Sequence, residues 1–150
     1  MTKSLAGVVT IKYIFSGQLI ARPEMITHRG TLGFAATMTA LVAGIERRGL
    51  TVFALVDHGG GAREAGLELE DEQVIFFGNP RTGTPLMQDD RRIGIELPLR
   101  ILVWQKGAEV CIGYRDPREL SSTYDVRAQE ATLDQMAKLL EELATEAADS

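Results

Sequence analysis

The residues predict an α+β domain built on an antiparallel sheet, and three observations carry that expectation. Runs of strand period, rich in β-branched and aromatic residues, recur along the chain. Two long segments instead carry apolar residues at helical spacing. A Lys106 and Gly107 pair between two strand-like runs reads as a hairpin turn. The length of 150 residues suits one such domain.

Taken in chain order, Val9, Ile11, Tyr13 and Phe15 alternate with Val8, Thr10, Lys12 and Ile14, and predict a strand closed by a turn at Ser16 and Gly17. An extended stretch from Leu19 to His28 contains Pro23, which has no N–H for a ladder, so it belongs at a sheet edge or is broken there. Phe34, Met38, Leu41, Val42 and Ile45 fall on one face of a helix. Gly49 supplies its left-handed stop, with Arg47 and Arg48 in the last turn at the negative end of the dipole. Leu50 to Val56 and Val74 to Phe77 read as strands, separated by Gly59, Gly60, Gly61 and a short helical turn at Ala62 to Ala65. Ile95 to Trp104 reads as a long strand, in which Pro98 demands an edge or a bulge, and Val110 to Tyr114 is its hairpin partner. Thr132 with Gln135 three residues later has the form of a capping box. It precedes the stripe Leu133, Met136, Ala137, Leu140, Leu143, Ala144 and Ala147 of a closing helix.

Several strands are apolar on both faces: Val52, Ala54 and Val56 back onto Phe53 and Leu55, and Val74 and Phe76 onto Ile75 and Phe77. Two helices cannot cover both sides of such a sheet, so the second face is expected to meet the N-terminal extension or another subunit. A homodimer is the preferred solution, with burial by the chain's own loops as the alternative.

Composition narrows the functions. Lys and Arg number 16 against 21 Asp and Glu, and a formal charge of −5 argues against a sequence-independent grip on nucleic acid. One cysteine, Cys111, allows no internal disulfide, and two histidines leave little for metal ligation; neither a metal nor a cofactor is expected. No stretch is apolar for the roughly 20 residues that a bilayer requires. Lys12 interrupts the run from Leu5 that would otherwise suggest a signal peptide. The expectation is a cytoplasmic protein without a membrane partner.

The densest patch of informative residues is FGNPRTGTPLMQ, Phe77 to Gln88. Thr84 before Pro85 predicts a helix start, whose outward N–H groups, with Arg81 beside them, suit a small anion or a phosphate. A tight loop capping a short helix is the alternative. It is neither a Walker loop, lacking the lysine, nor a dinucleotide fingerprint, its glycine spacing being wrong. Asp57 and His58 end a strand beside the glycine run, where a histidine can act as acid, base or ligand grip; a structural histidine bonded to the loop is the alternative. His28 carries no second signal. Cys111 reads as a small buried hydrophobe, and Trp104 and Tyr114 as core aromatics able to stack on a ligand. Glu96 would pair with Arg100 along one strand face, and Asp89, Asp90, Arg91 and Arg92 read as a solvated turn.

From about Met25 to Ala148 the chain resembles domain-of-unknown-function family 302, a family of small bacterial and archaeal proteins. The stretches that carry the resemblance are RGLTVFALVDH at Arg48 to His58, AREAGLEL at Ala62 to Leu69, FGNPRTGTPLMQ at Phe77 to Gln88, IELPLRILVW at Ile95 to Trp104 and GYRDPREL at Gly113 to Leu120. The resemblance implies a two-layer TATA-binding-protein-like fold of order βαββββα, with helices on one face of the sheet and a tendency to dimerise. It implies no DNA binding, because fold is not function. The family's recurrent positions fall on Asp57, His58, Gly78, Asn79, Pro80, Gly83, Thr84, Pro85, Met87, Gln88, Pro98 and Trp104, all present here, but the family lends no activity. Residues 1 to 24 form an N-terminal strand or hairpin extension outside it, and residues 25 to 150 the domain itself.

The expected function is a homodimeric binding module for a small anionic or phosphate-bearing ligand. Asp57, His58 and the Gly78 to Gln88 segment would line one pocket, and His58, Asn79, Arg81, Gly83, Thr84, Gln88 and Trp104 would touch the ligand. The alternatives are an enzyme using His58 as acid or base, with Asp57 orienting it or Glu96 assisting, and a purely structural dimerisation domain.

Overall fold

The structure, a computed structural model, describes residues 24–150 together with the backbone of residues 13–15 and 18–20. Strands β1 (Tyr13–Phe15) and β2 (Gln18–Ile20) pair antiparallel, with Tyr13 opposite Ile20 and Phe15 opposite Gln18. The expected strand residues Val8 to Lys12, the turn at Ser16 and Gly17, and the break at Pro23 lie outside the described residues.

The domain proper runs β3 (Met25–Gly30), α1 (Phe34–Arg47), β4 (Thr51–Asp57), α2 (His58–Glu64), β5 (Glu72–Gly78), α3 (Pro80–Asp89), β6 (Leu99–Lys106), β7 (Glu109–Arg115) and α4 (Glu130–Ala148). Without the short helices α2 and α3 this is the order βαββββα. The sheet order is β3-β7-β6-β5-β4, antiparallel throughout. The β6–β7 hairpin closes at Gly107, whose φ of +60° is a conformation glycine adopts without a Cβ penalty.

Strand alternation sends Ile75, Phe77, Ile101, Val103, Val110 and Ile112 to one face, where α1 and α4 cover them with Phe34, Met38, Leu41, Ile45, Leu140, Leu143 and Ala144. Gly44 lets the helices close: a Cβ there would lie 3.2 Å from Leu143. Arg48 reaches from the end of α1 to Glu146 of α4 at 2.8 Å, beside an Arg47–Glu146 pair. A second, smaller core gathers Leu86 of α3, Ile93, Val126, and Leu133 and Met136 of α4.

Four boundaries differ from expectation. The glycine run lies inside α2, which begins at His58 directly after β4 because Asp57 caps it. Helix α3 begins at Pro80, so Thr84 and Pro85 are interior to it. Ile95 and Glu96 belong to a 3-10 turn over Arg91–Glu96 instead of to the long strand, which begins at Leu99 after a cis Leu97–Pro98 bond. Pro98 therefore needs neither an edge nor a bulge, and β6 is central. Finally, α4 begins at Glu130 without a side-chain cap, so Thr132 and Gln135 are no capping box.

Candidate functional site

Beyond Phe77, which is fully buried, β5 leaves the sheet at Gly78 and the chain turns into α3 at Asn79. Asn79 is extended (φ −137°, ψ 123°), and its Oδ1 accepts from the Arg81 N–H at 2.9 Å. Its carbonyl accepts from the N–H groups of Thr82 at 2.9 Å and Gly83 at 3.2 Å. Pro80 has no N–H to offer. The expected helix start at Thr84 is corrected: the helix begins at Pro80 with Asn79 as its cap, and the N–H donors of its first turn are already bound within the turn.

What the segment does build is a cavity of about 400 Å³. It lies between the β4–β5 end of the sheet, α3, the Gly94–Leu99 segment and α4. Phe53, Pro80, Met87, Leu97 and Leu139 make it apolar, while Asn79, Thr82, Thr84 and Gln135 bring the polar edge. Gly83 opens it from the helix side: a Cβ at that position would sit 3.5 Å from Leu97 and 4.0 Å from Met87, so a methyl group fits and a larger side chain would enter the space.

Asp57 and His58 lie elsewhere. In the β4–β5 pairing Thr51 faces Gly78 and Asp57 faces Gln73. The two ends of β4 are therefore about 20 Å apart at the usual rise of a strand. The expected single pocket is two places. The Asp57 carboxylate accepts from the Gly60 N–H at 2.8 Å. It serves as the cap of α2, and among the described residues no hydrogen bond joins it to His58. His58 is exposed and borders a groove of about 910 Å³ whose floor includes Val74, Phe76 and Leu102. On the rim of that groove Glu96 accepts from the Tyr124 hydroxyl at 3.0 Å and meets Arg100 at 3.5 Å, the expected pair formed from the end of a 3-10 turn. Arg81 and Gln88 point to solvent and line neither space. Trp104 lies over Gly113, where a Cβ would come within 2.9 Å of its ring, so it packs on the sheet instead of on a cavity.

Two polar clusters carried no sequence signal. Tyr114 of β7 donates to Glu141 of α4, and His28 of β3 brings Nε2 to 3.4 Å from the same carboxylate while its ring stacks on Tyr114 at 6.2 Å. Burial, then the Glu141 carboxylate, push the Tyr114 phenol above its ordinary range. The second cluster centres on Asp90, expected to be a solvated turn residue but buried. It accepts from Arg92 at 2.7 Å and from the Asp125 N–H at 3.1 Å, and those bonds hold its carboxyl well below the usual carboxylate range. Burial pushes the Cys111 thiol up, in keeping with a small buried hydrophobe. Among the described residues no helix is long and apolar enough to cross a membrane.

Three comparisons with known proteins bear on this arrangement. Curated relatives include the fluoride-specific ion channel FluC 1 of Brucella suis biovar 1 (strain 1330), 41% identical over 103 residues that make up 68% of this chain and 41% of that protein. The FluC 1 of Brucella abortus biovar 1 (strain 9-941) is also 41% identical, with 38% of its length covered. The chain thus spans about two fifths of the curated relatives it matches. Among solved structures, the crystal structure of an uncharacterized conserved protein DUF302 from Bacillus stearothermophilus superposes with a TM-score of 0.75 at 18% identity. The superposition covers 82% of this chain and 97% of that one, a likeness of fold. The family described as domain of unknown function DUF302 matches residues 26–143, and the chain belongs to that family.

Proposed function

We propose that the protein is a small-molecule-binding module whose ligand occupies the cavity between α3, the Gly94–Leu99 segment and α4. The observation that carries this reading is the cavity itself: about 400 Å³, mostly apolar in its lining, with Asn79, Thr82, Thr84 and Gln135 as the polar residues among those that line it. Ligand sites are concave, mostly apolar and a few hundred Å³ in size, with a small number of placed polar groups. The chemistry favoured is an apolar or aromatic body with one hydrogen-bonding edge, in place of the anion expected from the residues alone, because the α3 N–H groups are occupied by Asn79. A cytoplasmic location belongs to the same proposal, supported by a sequence with a single cysteine.

Thermal-shift and NMR titrations against two panels test it, one of aromatic and apolar compounds with a polar edge, the other of phosphate, nucleotides and carboxylates. The expected result is a melting-temperature rise with the first panel only, with amide shifts from Asn79 to Met87, and loss of both in Gly83→Leu. No shift with either panel would sink the reading. A response to phosphates alone would restore the anion.

The Brucella relatives favour a second reading, a module that works beside a fluoride channel. Conduction requires membrane-spanning structure, and the matched segment leaves more than half of those proteins to supply it. The segment would act as a ligand-reading accessory. Fluoride efflux from vesicles carrying the Brucella suis channel, whole or without this segment, tests it. Identical efflux with and without candidate cavity ligands argues against such coupling.

A further inference from the structure

The lining of the cavity between α3, the Gly94–Leu99 segment and α4 selects its ligand by charge. We infer that it takes an uncharged aromatic carboxamide, a class that rests on the cavity being a ligand site and narrows what that site accepts. None of the described residues lining the cavity carries a charge. An ionised group brought into this mostly apolar space gives up its hydration and meets no counter-charge, so a neutral molecule is favoured over its ionised counterpart. Phe53 contributes an aromatic ring to the lining, and Met87 and Met136 contribute two thioethers. Both kinds of group make favourable contacts with a flat aromatic body.

Two carboxamide side chains set the polar edge. Asn79 comes from the cap of α3 and Gln135 from α4, so they reach the cavity from different elements. The cap fixes the Asn79 amide: its Oδ1 is taken by the Arg81 N–H at 2.9 Å, which leaves the Nδ2 group with two protons to donate. Among the described residues the Asn79 side chain makes no other hydrogen bond, and the Gln135 side chain makes none. A ligand carboxamide answers both groups, its carbonyl accepting from Asn79 Nδ2 and its N–H donating to Gln135 Oε1. A carboxylate of the same shape has no proton for Gln135 Oε1 and brings a charge that nothing balances. An ammonium has no acceptor for Asn79.

NMR titration of the full chain with 2-naphthamide, 2-naphthoate, 2-naphthylmethylammonium and naphthalene tests the assignment. The amide is expected to bind about tenfold more tightly than each of the other three, the worth of one or two net hydrogen bonds. Asn79→Asp separates the ligand contact from the cap, because aspartate caps a helix as well as asparagine does. It should keep the melting temperature, bind the amide about tenfold more weakly and bind the ammonium more tightly. Gln135→Met, at an exposed position of α4, should also weaken the amide about tenfold and leave naphthalene unchanged. Naphthalene or the naphthoate matching the amide, or an amide affinity unchanged in both variants, would overturn the carboxamide and leave the cavity as a site for another ligand. No binding by any of the four would remove the class, and the wider aromatic panel would then decide the cavity itself.

Discussion

The two ends of the β4–β5 pair begin alike and finish differently. At each end a strand runs into a helix through an Asx cap, Asp57 onto Gly60 and Asn79 onto Arg81. Behind the Asp57 end the chain closes tightly: a Cβ on Gly59 would lie 3.0 Å from the Glu70 carbonyl, and Asp71 and Glu70 bind the backbone of Gln105 and Gly107. Behind the Asn79 end stand α4 and the Gly94–Leu99 segment, and between them lies the cavity. The same capping chemistry satisfies the local backbone at both ends, and what stands behind each cap decides which residues line the space beside it: α4 and the Gly94–Leu99 segment at the Asn79 end, the groove floored by Val74, Phe76 and Leu102 at the Asp57 end.

The comparison can be broken first at its base. Leu86 is fully buried in the small core beneath the cavity. Leu86→Ala should cost about 2–5 kcal/mol in urea unfolding and remove the ligand response as well. A loss well under about 1 kcal/mol would mean that the small core does not support the cavity end. Acid should act next. The folded state holds the Asp90 carboxyl low. The unfolded value is about 3.9. Its contribution to stability is therefore complete above that pH and is lost as pH falls through the depressed folded value. Asp90→Asn should lower stability at neutral pH and flatten the acid limb of a stability-versus-pH curve. An unchanged limb would remove Asp90 as the support of that end.

The caps sharpen the comparison directly. Asp57→Ala and Asn79→Ala should each cost about 1 kcal/mol by thermal or urea unfolding. Only Asn79→Ala should weaken the melting-temperature response to a cavity ligand, and equal weakening by both would contradict the separation of the two ends. The smallest effect has the opposite sign. Gly83→Ala should stabilise α3 by roughly 0.5–1 kcal/mol. Its methyl group meets ordinary contacts, while it narrows the cavity and lowers affinity. A stabilised variant that binds as well as the wild type would place the ligand elsewhere.

Much of the frame was readable because its signals are local and periodic. Gly49 ends α1 with a φ of +70°. That stop, the stripes of α1 and α4 and the β6–β7 hairpin are each set by residues within a turn or two of one another. The helix starts were harder. Asn79–Pro80 and Thr84–Pro85 are equally good caps in isolation, and β5 ends where Asn79 is the one that serves. Asp89 to Arg92 look solvated by composition, but Asp125, 35 residues on, returns to bind Asp90.

The sequence by itself determined the elements, their order and the family, because helical and strand periods and a string of matching motifs are properties of contiguous residues. It also marked Asn79, Gly83 and Thr84, three residues that line the cavity. Only the tertiary structure decided that His58 stands apart from them, that α4 supplies the far wall, and that His28, Tyr114 and Glu141 meet. Strand pairing and helix packing join residues at long sequence separation, and no local spacing encodes which of two chemically similar ends will have a wall built behind it.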